Sequence, residues 1–207
     1  MKNILIYTIP LLFALSGCSM MMTPSKDNSI FYSLGEHSAN VSTLSLSETN
    51  NLKALDIFID ETPSYTDCPY IVTTTGDNKI NFSQINRWSS SFSDECAHAL
   101  EEKIASLLRN KVTVISSTHS DGSMILCNYR ISVSFDDFIY NEMGKCVVLK
   151  CSWSFFDFEK RQQIIVQKYN SSTNVENPDY DSIVNGMKDA IGKFAEYLSK
   201  QAELLID

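Results

Sequence analysis

Two runs of alternating residues constrain the fold of this chain more than any other feature. Residues 125–135 place apolar side chains at every second position and mostly polar ones between them, and residues 147–155 repeat the pattern. Successive side chains of a β-strand point to opposite faces, so each run predicts a long strand with one buried face. Residues 141–144, Asn-Glu-Met-Gly, have the composition of a turn. The two runs therefore predict an antiparallel hairpin whose apolar face must be covered.

Shorter patterns supply the remaining elements. β-prone runs occur near residues 55–59, 70–74, 79–82, 112–114 and 164–169. Apolar residues at helical spacing mark one helix around residues 96–108 and a second, longer one from residue 180 to the end. The order is strand, hairpin, helix, a meander of about four strands, and helix. This order predicts an α+β fold (an α/β sandwich) over residues 51–207, with a single, mostly antiparallel sheet and two amphipathic helices packed on one face.

The first residues have the build of an export signal. Lys2 precedes an apolar stretch over residues 4–15, which is shorter than the roughly 20 residues needed to cross a bilayer. The run Leu-Ser-Gly-Cys that ends at Cys18 resembles the bacterial lipobox. We expect residues 1–17 to be removed and Cys18 to be acylated. Ser19 follows where an Asp would signal retention in the inner membrane, so we expect the outer membrane, facing the periplasm.

Composition excludes some partners. Residues 18–50 are rich in Ser, Thr, Asn and Met without a sustained period and are predicted to form a flexible tether. The formal net charge of the whole chain is -8, and no stretch is rich in Lys and Arg. An acidic chain without a basic patch is a poor ligand for nucleic acid. We therefore expect no nucleic-acid partner.

Five cysteines remain besides Cys18, and an odd number leaves at least one unpaired in a monomer. Cys68 and Cys96 are the pair we favour for a disulfide, although spacing alone leaves the connectivity open. No two cysteines have the metal-type C-x-x-C spacing, and the sequence contains only three histidines. The sequence therefore predicts neither a zinc site nor any other metal site.

An enzymatic function is not expected. The adjacent carboxylates Asp136 and Asp137 would point to opposite faces of a strand, so a strand end or bulge explains them better than shared catalysis. The sequence has no nucleophile elbow and no Gly-rich phosphate loop, and its seven glycines are few for a cofactor cradle. We predict a non-catalytic protein without a cofactor.

A series of short motifs resembles the PqiC family, also called YmbA or ABC-type transport auxiliary lipoproteins. The family has a Pro-x-Tyr turn, an Ile-Val-Thr strand, a Gly-x-Asn hairpin, an Arg-Trp pair before the first helix and an aromatic-aromatic-x-Leu segment near the mature N-terminus. In this chain the matching residues are Pro63-x-Tyr65, Ile71-Val72-Thr73, Gly76-x-Asn78, Arg87-Trp88 and Phe31-Tyr32-x-Leu34. One departure is Cys68, where the family often has Arg.

The resemblance implies a lipoprotein that works with a PqiB-like MCE-domain protein to move lipids between the two membranes and keep the envelope intact. It also makes Tyr65, Arg87 and Trp88 candidates for a partner surface, because all three are expected beside turns. Packing in the core explains Trp88 equally well. Two alternatives stay open: self-association into a homo-oligomer, and a free-standing lipoprotein that binds an apolar ligand between sheet and helices.

Overall fold

The computed structural model describes residues 27–35, 53–76, 79–109, 111–118 and 127–206. The predicted signal peptide and Cys18 lie outside the described residues. The described part contains eight strands and two α-helices. In chain order these are β1 (Ile30–Tyr32), β2 (Lys53–Glu61), β3 (Tyr70–Thr74), β4 (Ile80–Trp88), α1 (Phe92–Leu107), β5 (Val112–Thr118), β6 (Tyr129–Asn141), β7 (Cys146–Asp157), β8 (Gln162–Asn174) and α2 (Tyr180–Leu205). A single 3₁₀ turn, Ser64–Thr66, follows β2.

All eight strands belong to one sheet organised around β6. One side of β6 pairs with β7 along its whole length, and β8 pairs with the outer side of β7. On the other side of β6, its first half pairs with β2, which carries β5, and its last residues pair with β3. Strands β3, β4 and β1 continue from there as a separate arm of the sheet, which we call the β1–β4–β3 limb.

The predicted fold class is confirmed, with one change in topology. The pairs β3–β4, β6–β7 and β7–β8 are antiparallel, as the hairpins predicted. The sheet is nevertheless mixed, because β1–β4, β2–β5, β2–β6 and β3–β6 are parallel. The meander contains three strands, since β5 lies at the far side of β2 and does not pair with β6. Alternation of apolar residues fixes which face of a strand is buried but not which strand is its neighbour.

Both helices pack on one face of the sheet, as predicted. Ser91 caps α1 by accepting a hydrogen bond from the Asp94 amide, and Asp179 caps α2 in the same way through the Ser182 amide. The large side chains of β6 and β7, including the fully buried Trp153, fill the space between sheet and helices. The opposite face of the sheet carries no helix and is called the open face below.

The predicted tether, residues 18–50, is too long, because residues 30–32 within it form strand β1. Its residues pair in parallel with the end of β4, with Phe31 opposite Arg87. Leu34, two residues after the strand, is 4% exposed and belongs to the hydrophobic core. The fold therefore begins before residue 51, because the apolar segment within the predicted tether is long enough to add a strand to the limb. The rest of that tether lies outside the described residues.

Candidate functional site

Two of the family-like motifs contribute a residue, Phe31 and Trp88, to one cleft at the N-terminus of α1. The cleft has a volume of about 560 Å³ and lies between the turn after β2, the end of β4 and the start of α1. Phe31 stands at its rim, Thr66, Cys68 and Pro69 form one wall, and Trp88 and the serines 89–91 form the other. These residues come from three segments spread over about sixty positions of the sequence, and the pairing of β1 and β3 with β4 brings them together.

Trp88 lies in the core beneath this cleft. Its side chain is 4% exposed, and its ring packs against Phe92 with 5.5 Å between ring centroids. Phe92 in turn contacts Phe138 of β6 at 5.6 Å. Trp88 ends strand β4 and does not lie in an exposed turn. The structure therefore supports the packing interpretation, and Trp88 presents too little surface to anchor a partner.

Tyr65 is also held inside the fold. Its hydroxyl donates a hydrogen bond to Asp137 Oδ1 at 2.9 Å and accepts one from the Phe138 amide at 3.0 Å. These contacts fall where the β6–β7 register shifts between Phe135 and Asp137, so the tyrosine satisfies a backbone group that the bulge leaves unpaired. Burial raises the pKa of Tyr65, and the phenol stays protonated. The bulge interpretation of Asp137 is confirmed, and Tyr65 is its structural partner.

Arg87 is the one of the three candidates that reaches the surface. It is half-buried on the open face of the limb, and its guanidinium lies 5.2 Å from the ring centroid of Tyr70. Its Nε atom is buried and has no hydrogen-bond partner among the described residues. Stacking against Tyr70 restricts the side chain, and the guanidinium also interacts electrostatically with the Asp27 carboxylate.

A residue that the sequence analysis did not single out organises this region. Glu95 of α1 is 3% exposed, and its carboxylate accepts five hydrogen bonds. The donors are the Ser33 hydroxyl, the Leu34 amide, the Ser89 hydroxyl, and the amide and hydroxyl of Ser90. Burial opposes ionisation of Glu95, but the hydrogen bonds outweigh it and lower the pKa. Glu95 thus fastens the segment after β1 to the loop between β4 and α1.

A signal for Glu95 is present in the sequence. It lies three residues after the buried Phe92 and next to the buried Cys96, on the apolar side of α1. A carboxylate at such a position is rare unless donors surround it. The serines 89–91 just before the helix provide such donors, so an acidic residue on an apolar stripe after a serine cluster could have indicated this network.

The predicted disulfide between Cys68 and Cys96 is not formed. Both are free thiols. Cys68 belongs to the turn, where its Sγ lies 3.5 Å from the Tyr65 carbonyl oxygen, whereas Cys96 is completely buried on the inner side of α1. Burial raises the pKa of Cys96 well above its ordinary value. Cys68 thus lies in a turn, whereas Cys96 lies in the core.

The cavities do not favour an internal apolar ligand. Besides the cleft, the structure has a groove of about 640 Å³ along α1 and α2, lined by charged side chains that include Glu102, Lys103 and Lys188. Both cavities are open to solvent and neither lies between sheet and helices, where the side chains are packed. The described residues contain no cluster of side chains suited to a metal ion. Within the same residues, no helix combines the length and apolar character needed to span a membrane.

Comparison with solved structures shows which known fold this is. A crystal structure of an uncharacterised protein matches with a TM-score of 0.62 at 16% identity, over 72% of this chain and 92% of that one. Protein XCC0632 from Xanthomonas campestris matches with a TM-score of 0.56 at 10% identity, over 72% of this chain and 82% of that one. At these identities the likeness concerns the fold alone. No curated protein matches the chain.

Comparison with protein families is more specific. The sequence profile of the ABC-type transport auxiliary lipoprotein component matches residues 32–199, which include β2 to β8, both helices up to Ser199, and all the residues of the cleft except Phe31. The resemblance drawn from the short motifs is therefore confirmed over most of the chain. The chain belongs to the family of ABC-type transport auxiliary lipoprotein components.

Proposed function

We propose that this protein is a periplasm-facing outer-membrane lipoprotein and a non-catalytic accessory subunit of a PqiB-like MCE system for lipid transport between the membranes, which maintains envelope integrity. The observation that carries the proposal is the family match over residues 32–199. The structure supports it in two ways. The interior is filled by side chains, and Phe31 and Trp88 of the family motifs line an open cleft with Arg87 nearby, as suits a subunit that binds another protein.

Anchoring can be tested at Cys18. We expect Cys18→Ser to block acylation, because the thiol is the site of lipid attachment, and to leave the chain unprocessed or misplaced. Membrane fractionation with mass measurement of the mature N-terminus checks this. The matched control is Cys68→Ser, which changes a free thiol elsewhere in the chain and should leave sorting unaltered. Normal size and normal outer-membrane levels of Cys18→Ser would show that the lipobox assignment is wrong.

Association with an MCE partner is the direct test of the function. We expect the parent protein to co-purify with a PqiB-like protein after extraction with mild detergent. Arg87→Ala should weaken this association, since the guanidinium is a half-exposed cation next to Trp88 in the wall of the cleft. The fold should be retained, because one partly exposed cation–π contact contributes about 0.5–1 kcal/mol.

Arg109→Ala provides the control for this association, because Arg109 is exposed beyond the other end of α1. It should co-purify like the parent. Absence of any MCE protein from the parent preparation would overturn the proposed function. Equal recovery of the partner with Arg87→Ala and Arg109→Ala would be compatible with the proposed function but would show that Arg87 does not belong to the docking surface.

A further inference from the structure

The β1–β4–β3 limb exposes a group of large apolar side chains, which we call the limb patch. Its members are Ile30, Phe31, Ile80, Phe82 and Ile85, with exposed fractions of 48, 61, 39, 51 and 47%. Together, the five side chains expose on the order of 400 Å² of apolar surface. This area is within the range of the largest apolar patch on a typical monomer. A patch of this size is a candidate for contact with an apolar surface.

The strand pairing places Phe31, Ile80 and Phe82 of the limb patch on the open face. Phe82 is opposite Val72 of β3, and Phe31 is opposite Arg87. Val72 is buried at 7% exposure, yet it does not belong to the core beneath the helices. Phe82, the cross-strand partner of Val72, therefore shares its face, away from α1 and α2. Phe82 is 51% exposed, and a neighbour that covers its outer side would come from outside the described fold.

The position of the proposed lipid indicates what that neighbour is. Only eleven residues lie between Cys18 and Ile30, the first residue of β1. A chain of this length spans at most roughly 40 Å, even at full extension. A domain of this size is itself about 40 Å across. The end of the domain that carries β1 is thus kept close to the bilayer.

We propose that the limb patch rests on the surface of the phospholipid bilayer that holds the acyl chains of Cys18; this inference rests on the lipid anchor in the proposed function. The anchor keeps the patch at a high effective concentration near the membrane, so a shallow apolar contact is sufficient. The chain as a whole is acidic, with a formal charge of -8. Contact is accordingly made by apolar burial and should depend little on ionic strength.

A tryptophan placed in the limb patch reports this contact. The two native tryptophans, Trp88 and Trp153, are 4% and 2% exposed and provide a constant background. Mature acylated protein carrying Phe82→Trp is reconstituted into vesicles of phosphatidylethanolamine and phosphatidylglycerol, with or without bromine on the acyl chains near the head groups. We expect its added fluorescence to be blue-shifted and to be strongly quenched by the brominated lipids, at low and high salt alike.

The control places the same probe on the same face of the sheet but far from the anchor. Val166 on β8 is 63% exposed and lies opposite Ser154 on β7. Four strand spacings and about seven residues along the strands separate it from Phe82, a distance of roughly 30 Å. Val166→Trp should emit like a solvent-exposed indole and should not be quenched by bromine.

Three results would overturn the proposal. Equal quenching by the brominated lipids at both positions, or at neither position, would show that the bilayer does not contact the limb in preference to β8. A blue shift of the Phe82→Trp emission that depends on protein concentration and is insensitive to bromine would show that a second copy of the chain covers the patch. Absence of acyl chains on the purified protein would remove the anchor and this inference with it. Co-purification with an MCE protein is measured separately, so failure of the proposed function remains distinguishable from failure of the membrane contact.

Discussion

Replacing Trp88 with Ala is expected to lower the free energy of unfolding by about 3–5 kcal/mol, which is the usual cost of truncating a buried large aromatic side chain. The indole is 4% exposed and begins a chain of ring contacts through Phe92 to Phe138. Its removal leaves a void beneath α1, because the backbone of β4 is held by β1 and β3 and cannot collapse into the gap. Urea unfolding followed by circular dichroism measures the loss.

Phe31→Ala is the matched control for Trp88→Ala. Phe31 is 61% exposed on the strand that pairs with the end of β4, so truncation removes little buried surface. We expect a change of less than about 1 kcal/mol, as for most surface positions. If Trp88→Ala unfolded like the parent and failed to recover an MCE partner, the side chain would be an exposed anchor and the core assignment would be wrong.

Most helices and strands of this fold can be predicted from local patterns in the sequence. The β6–β7 hairpin was predictable because the alternation continues over residues 125–135 and again over residues 147–155, and a turn composition lies between the two runs. Tyr65 and Trp88 were selected from family-like motifs, and the structure places both among packing contacts. A motif shows that a position matters to the fold or to the function, and burial then decides between these two roles.

The arrangement of strands was less predictable. Strand β2 inserts between β5 and β6, and this long-range pairing converts a predicted meander of about four strands into a mixed sheet. Parallel pairing between strands distant in sequence leaves no local turn signal. β1 was read as part of a tether because a strand of three residues has too few positions to show a period.

The Glu95 network went unrecognised for a related reason. Its five donors come from two segments, Ser33–Leu34 and Ser89–Ser90, that become neighbours only when β1 pairs with β4. The sequence shows the serines next to Glu95 but not the segment after β1. Sites assembled by long-range strand pairing are the features that local sequence analysis cannot supply.

Glu95→Gln is expected to destabilise the fold by about 3 kcal/mol at neutral pH, the upper range for one hydrogen bond to a charged group. One carboxylate oxygen accepts from the Ser90 amide and the other from the Leu34 amide. A glutamine replaces one of these oxygens with an NH₂ group, which then faces an N–H donor in a buried site. At least one backbone amide loses its acceptor, whichever way the amide group is oriented.

The same substitution should remove a pH dependence. The folded-state pKa of Glu95 lies below its ordinary value of 4.5, so the ionised carboxylate stabilises the fold fully above that value. This contribution is lost as the pH falls through the folded-state pKa. Unfolding free energies of the parent should therefore decline in this acidic range more steeply than those of Glu95→Gln. The gap between the two proteins should narrow as the pH falls.

The Glu95 network is tested further with a control variant, Glu203→Gln, and with hydrogen exchange at the Leu34 amide. Glu203 lies in α2 and pairs on the surface with Lys111 at 3.2 Å, an interaction worth less than about 1 kcal/mol. The Glu203→Gln variant should show the same pH dependence of stability as the parent.

Hydrogen exchange at the Leu34 amide should accelerate in Glu95→Gln, because this amide loses its acceptor or its neighbours loosen. An unchanged pH profile with protected Leu34 would mean that the network does not hold the segment after β1. Since β1 joins the sheet through only three residues, Glu95 adds a contact that fastens the segment after β1 to the domain.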